Sequence, residues 1–122
     1  MLTGAGCDLI EIERVKKACE KEAFFLRIYT ENERRQAEGR PSVLAGTFAA
    51  KEAVAKVFGT GFRSFGPIDV EVLRDELGKP YVVLHANAKK IAEEKGIKKI
   101  EVSISNTKEH AMAFAVGEGD VR

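Results

Sequence analysis

The side chains whose types and spacing could do chemistry are Glu52 and Lys56, a carboxylate and an ammonium, of which the lysine can offset charge on a phosphate leaving group. Glu52 and Lys56 are four residues apart, so on a helix they lie on one side with one turn between them. They belong to the stretch Phe48-Ala49-Ala50-Lys51-Glu52-Ala53-Val54-Ala55-Lys56-Val57-Phe58, which as a helix is apolar almost all the way round. A helix of that kind is buried, and a charge on it needs either an ion-pair partner or a polar ligand. An intrahelical Glu52–Lys56 pair would account for both residues on an amphipathic helix. On a buried one, a lysine facing phosphate is the favoured reading.

The elements that must position these residues follow from the pattern around them. Met1 to Cys7 is short, small and apolar and reads as a strand running into a helix over residues 9–20. Asp8-Leu9-Ile10-Glu11 has the outline of a capping box, which makes Asp8 a helix N-cap on local sequence alone. Ala23 to Tyr29 is an apolar turn or short helix, and Thr30-Glu31-Asn32-Glu33 is a cleaner capping box that opens a polar helix stopped by Gly39-Arg40-Pro41. Ser42 then caps the central helix, which runs to about Phe58 and ends at Gly59-Thr60-Gly61. Gly59 to Pro67, with three glycines and a proline, is loop. Ile68 to Leu73 alternates as a strand with one wet face and pairs with Tyr81 to Leu84 across the turn at Gly78-Lys79-Pro80. A surface helix over residues 88–95 and a final hairpin, residues 100–104 with 111–116, complete an α+β order in a single domain.

Composition narrows the function classes. The 122 residues are 44% hydrophobic and 32% charged, with a net charge of +1. That is an ordinary globular composition, and it argues against the general nucleic-acid affinity of a basic surface. The longest run without a charged residue, Pro41 to Ala50, is far short of the ~20 residues of a membrane helix. Asp8 and Glu11 near the start, with no basic residue before them, speak against a secretory signal. With residues 9–20 helical, Cys7 and Cys19 are on the order of 15 Å apart, beyond bridging range, as expected of reduced thiols in a cytoplasmic protein.

Three stretches carry a family resemblance. They are Gly4-Ala5-Gly6-Cys7-Asp8-Leu9-Ile10-Glu11-Ile12, then Phe48-Ala49-Ala50-Lys51-Glu52-Ala53 with Lys56 and Gly59-Thr60-Gly61, and then Val102 to Ala111. In this order, in a chain of this size, they resemble the signature of the 4'-phosphopantetheinyl transferases of the holo-acyl-carrier-protein synthase type. The resemblance implies an antiparallel-rich sheet packed on the long buried helix, and a homotrimer with sites between subunits. It implies Mg²⁺-dependent transfer of 4'-phosphopantetheine from coenzyme A to a serine of apo acyl carrier protein in fatty acid biosynthesis, releasing adenosine 3',5'-bisphosphate.

Residue by residue, the resemblance makes Asp8 and Glu52 the metal ligands and sets Lys56 on the coenzyme pyrophosphate. It places Lys51, Gly59, Thr60, Gly61, Lys79 and Pro80 near the coenzyme, with Ser105, Asn106 and Thr107 at its adenosine end. Arg14, Lys17, Lys21, Phe24 and Arg27 become the docking surface for the acidic carrier. The proton of the carrier serine is assigned to a metal-held water oriented by a carboxylate, neither His85 nor His110 falling in the metal motifs. Two positions depart from the pattern. Asn106 stands where the family usually has histidine, and Thr47 where it usually has arginine just before Phe-Ala-Ala. Loss of that guanidinium leaves the 3'-phosphate to another cation, with Arg40, Arg63 and Lys108 as candidates. The same departures keep a second reading open, a non-catalytic binding module, against which the intact Asp8, Glu52 and Lys56 speak.

Overall fold

The computed structural model describes residues 1–120. Strand β1 (Leu2–Glu11) leads into three short helices, α1 (Ile12–Cys19), α2 (Glu22–Ile28) and α3 (Glu31–Ala37), and then into the long α4 (Pro41–Phe58). After a loop and a 3₁₀ turn at Pro67–Asp69 come β2 (Val70–Arg74), β3 (Pro80–Leu84), α5 (Ala86–Glu94), β4 (Ile97–Asn106) and β5 (His110–Gly119). The strands form an antiparallel three-stranded sheet in the order β1-β5-β4 and a separate β2-β3 hairpin, an α+β arrangement. No helix among the described residues is long and apolar enough to cross a membrane.

Helix α4 is the centre of the packing. Ala49, Ala50, Ala53, Val54, Ala55, Val57 and Phe58 are all buried in one cluster with β2, β4, β5 and α5. Its first turns, through Leu44 and Ala45, enter a second cluster with Val15 and Ile28 of the short helices and Tyr29 just after α2. Strand β1 lies so close to α4 that side chains are excluded: a Cβ on Gly6 would stand 2.2 Å from the Ala53 carbonyl oxygen, and one on Gly4 2.6 Å from that of Val57. Glycine is required here for approach rather than for backbone conformation.

Three expectations are corrected. Strand β1 continues to Glu11, so Asp8 is a strand residue opposite Ala113 and not a helix cap. The ladder to β5 uses the backbone groups that a helix start would have needed, and Ile12 donates to the Glu109 carbonyl at 2.9 Å; tertiary pairing outweighs a local capping signal worth about 1 kcal/mol. Ser42 lies inside α4, because Pro41 takes the first helical turn, where its missing N–H costs nothing, and Arg40 stands at the cap. In the hairpin, Glu71 is buried and not on a wet face.

The capping box at Thr30 and Glu33 is formed on both sides, at 3.1 and 2.8 Å. Glu33 then reaches further than a cap does. Its Oε2 accepts from the Val72 amide at 2.7 Å and faces Lys51 Nζ at 2.8 Å, so the start of α3 is tied to β2 and to α4 at once. Beside it, Glu71 accepts from the Thr30 hydroxyl at 2.6 Å and from Asn32 at 3.4 Å, and meets His85 Nε2 at 3.0 Å.

Two outcomes follow from this packing. Gly6→Ala should lower stability by about 1–3 kcal/mol in a denaturant titration, because backbone atoms of α4 must move to admit the methyl. Burial pushes the Glu71 carboxyl up, but hydrogen bonds from Thr30, His85 and Asn32 outweigh it and hold the group below the ordinary carboxylate range. A depressed carboxylate contributes stability that is present above its unfolded pKa and is lost as pH falls through the folded one. Melting curves of Glu71→Gln should therefore show a deficit at neutral pH that shrinks below the ordinary carboxylate range; a deficit independent of pH would reject the assignment.

Candidate active site

Alternation along β1 turns Gly4, Gly6 and Asp8 toward α4 and leaves Ala5, Cys7 and Leu9 on the outer face. Asp8 arrives one helical turn from where the glycines touch. Lys56 Nζ donates to the Cys7 carbonyl at 2.8 Å and faces Asp8 Oδ1 at 3.4 Å. Lys56 thus turns to Asp8, and among the described residues no ion pair joins it to Glu52. The Glu52 carboxyl is pushed up by burial and then by the charge of Asp8, with Lys56 opposing. A carboxylate raised by burial and by the charge of a neighbouring carboxylate marks a place for positive charge.

Asp8 and Glu52 line one cavity of about 610 Å³ with Glu11, Arg14, Phe24, Phe48 and His110. Phe24 and Ala18 also line the adjoining cavity of about 460 Å³ with Lys17, Lys21 and Arg27. The Arg27 guanidinium lies 5.8 Å over the Phe24 ring, and Phe24 packs 6.2 Å from Phe48 of α4. An exposed basic patch on α1 and α2 therefore opens directly onto the paired carboxylates. Among the described residues no three His, Cys, Asp or Glu side chains gather as a metal cage. Two carboxylates fit Mg²⁺, which commonly takes one or two and leaves its other positions to phosphate and water.

The family model for the 4'-phosphopantetheinyl transferase superfamily matches residues 4–115. The chain belongs to this superfamily. It is 52% identical over 118 residues to the holo-[acyl-carrier-protein] synthase of Lachnoclostridium phytofermentans, with 97% of each chain covered. Its structure superposes on the holo-[acyl-carrier-protein] synthase of Neisseria meningitidis with a TM-score of 0.88 at 35% identity, covering 97% of this chain and 99% of that one. The Bacillus anthracis enzyme, solved in complex with CoA (3',5'-ADP), matches with a TM-score of 0.81 at 36% identity, covering 98% and 99%.

Against that phosphopantetheinyl transferase frame, the other candidate residues fall into separate groups. Gly59, Thr60 and Gly61 follow Lys56 at the C-terminal end of α4, with Gly59 in the left-handed cap at φ 78° and Gly61 at φ 64°. Pro80 and Asn106 line a cavity at the opposite end of α4, beside Ser42. At about 1.5 Å per residue, Ser42 and Lys56 are roughly 21 Å apart along the helix. Lys79 is exposed on the β2-β3 turn with Glu101 at 3.4 Å, Ser105 is exposed on the outer face of β4, and Thr107 accepts two amides of the β4-β5 turn. Cys7 and Cys19 are free thiols.

Lys51 is a correction. It is fully buried, and its three N–H donors are taken by Glu33 at 2.8 Å, the Pro67 carbonyl at 2.8 Å and the Val70 carbonyl at 2.7 Å, so it is closed to a coenzyme. Burial pulls its pKa down and Glu33 opposes that. Three residues at these sites were missed by sequence reasoning. Phe48 joins α4 to the basic patch, His110 reaches the carboxylate cavity because β5 pairs it with Glu11, and Arg74 lies against Thr47. Only Phe48, a large apolar residue of the central helix that is partly buried, had a local signal.

Denaturation should separate the two lysines of α4. Lys51→Met leaves Glu33 buried and unpaired and should cost about 3–5 kcal/mol. Lys56→Met, on a half-exposed side chain, should stay within about 0.5 kcal/mol of the parent. Equal effects would contradict the assignment of Lys51 to the fold and Lys56 to the site.

Proposed function

We propose that this chain is a holo-acyl-carrier-protein synthase, transferring 4'-phosphopantetheine from coenzyme A to a serine of apo acyl carrier protein of fatty acid synthesis, in the cytoplasm, with release of adenosine 3',5'-bisphosphate. The observation that carries the reading is the single cavity in which Asp8 and Glu52 meet, with Lys56 on Asp8 and a basic, aromatic patch at its mouth. The names of its relatives point the same way. Asp8 and Glu52 are the residues that would hold Mg²⁺, which when bound supplies Lewis-acid polarisation of phosphate oxygens.

The chain's own residues do the rest. Lys56, on a half-exposed stem, can swing its ammonium from Asp8 to a pyrophosphate oxygen and offset the charge that gathers on the bisphosphate as it leaves. Gly59 and Gly61 leave the backbone bare beside it for a close approach. Arg14, Lys17, Lys21 and Arg27 attract and orient an acidic carrier, and Phe24 gives it an apolar anchor at the mouth of the cavity. The serine proton passes to a water oriented by the carboxylates.

The same reading assembles the site from two copies in a homotrimer. Residues expected on the pyrophosphate and those expected at the adenosine end lie at opposite ends of α4 in one chain. The outer face of the three-stranded sheet also exposes Leu9, Met112 and Phe114, at 68%, 42% and 45%, in adjacent register positions, a contiguous apolar surface of the kind a subunit contact covers.

Incubating the protein with coenzyme A, Mg²⁺ and apo acyl carrier protein should raise the carrier's mass by one phosphopantetheine. EDTA should abolish the gain. Asp8→Asn and Glu52→Gln should cut turnover on the order of 10²-fold or more with unchanged melting, the scale of losing a group that stabilises transition-state charge. Full turnover of either variant at ordinary Mg²⁺ rejects it as a ligand. Coenzyme A binding with no mass gain on any apo carrier would instead make the protein a non-catalytic binding module.

A further inference from the structure

The ammonium of Lys56 already stands against one of the two carboxylates of the site. Its Nζ lies 3.4 Å from Asp8 Oδ1 and donates to the Cys7 carbonyl at 2.8 Å, so a side chain of α4 is bonded to two consecutive residues of β1. The strand is built to receive it. Gly6 lets β1 approach the base of the lysine stem, where a Cβ on residue 6 would stand 2.7 Å from Lys56 Cβ. An intrahelical partner stands four residues earlier in Glu52, yet among the described residues the one ion pair of Lys56 is with Asp8. The other cation lining the cavity, Arg14, faces Glu11 at 4.0 Å. Lys56 is therefore the cation on the Asp8–Glu52 pair, and it sits on the Asp8 side of it.

An ammonium and a divalent cation compete for such a carboxylate. Like charges brought within about 4 Å of one another repel even where water screens them in part, so the two cannot hold Asp8 together. Of the two partners, the lysine is the one free to leave. Its side chain is 53% exposed on a flexible four-carbon stem, whereas the Asp8 side chain is 21% exposed on a paired strand. Leaving Asp8 gives up a half-exposed ion pair and a hydrogen bond to the Cys7 carbonyl, a modest loss that a pyrophosphate oxygen beside the end of α4 would make good.

We propose that Lys56 is an internal counter-ion of the site: its ammonium keeps the place of the divalent cation on Asp8 and is displaced when that cation binds, so that cation and coenzyme A load cooperatively. This rests on the Mg²⁺ and coenzyme reading above. A cation that arrives alone must push the ammonium into water. With coenzyme A present, the pyrophosphate draws the ammonium off Asp8 and leaves the carboxylate open. By linkage, each ligand then raises the affinity of the other by the same factor. Part of that coupling passes through Lys56 and not through contact between cation and phosphate.

The test reads the lysine and the cation separately. In protein stripped with EDTA, adding Mg²⁺ without coenzyme should raise the reductive methylation of Lys56, followed by peptide mass spectrometry, by about two- to fivefold, the scale of freeing a half-exposed ion pair. The exposed Lys17 and Lys21 serve as references and should not respond. In calorimetric titrations with Mg²⁺ alone, Lys56→Met should bind the cation about two- to fivefold more tightly than the parent. The factor by which coenzyme A raises the cation affinity should shrink correspondingly in that variant. Methylation of Lys56 that ignores Mg²⁺, or a variant that binds the cation alone no better than the parent, overturns the proposal. The labelling arm uses the parent chain, so the proposal stays open to refutation even where Lys56→Met loses its melting transition. A parent that takes no Mg²⁺ with or without coenzyme A overturns the metal reading itself, and this inference with it.

Discussion

The buried pair of Lys51 and Glu33 is the interaction on which the rest of the structure depends. It joins the middle of α4 to the first turn of α3, and each partner is also bonded to backbone near β2, Lys51 at Pro67 and Val70 and Glu33 at Val72. Buried charges are tolerated only when every donor and acceptor is satisfied, and here the lysine has three acceptors and the glutamate three donors counting the Thr30 amide. The geometry is correspondingly demanding: three segments distant in sequence, residues 30–33, 51 and 67–72, must arrive together. Once they do, the rotation of α4 about its own axis is set, and with it the direction of Glu52 and Lys56.

The second constraint is contact of backbone on backbone. Gly4 and Gly6 let β1 lie on α4 near Val57 and Ala53, and the strand's alternation then carries Asp8 to the same side. A carboxylate from residue 8 and an ammonium from residue 56 meet because a strand and a helix touch where neither has a side chain to hold them apart. The outer face of the same sheet, with Leu9, Met112 and Phe114, is left as a surface, so one sheet carries the Asp8 carboxylate on one side and the proposed subunit contact on the other.

Position 47 is covered by a side chain from another element: Arg74 of β2 lays its guanidinium across Thr47 of α4, in the room left by Gly46. Nothing in the local sequence of the β2-β3 hairpin marks Arg74 as different from any strand-end arginine. Its bonding partners, Thr47 and Gln36, come from two other elements.

The sequence by itself determined what periodicity and backbone chemistry can express: the long central helix, the capping box at Thr30, the glycine stop at Gly59, both hairpins, and, through three ordered stretches, the family. Those features are local, governed by residues within a turn or a strand of one another. Tertiary structure decided the others. Asp8 carried a good N-cap signal and became a strand residue, because the ladder to β5 engages more backbone groups than a cap can. Lys51 and Lys56 are chemically identical and five residues apart, yet one is closed inside the fold and the other is open at the site, a difference fixed by which face of α4 meets α3 and β2. His110 and Arg74 reached their cavities through strand register and cross-element contact, relations among residues far apart in sequence that no local pattern encodes.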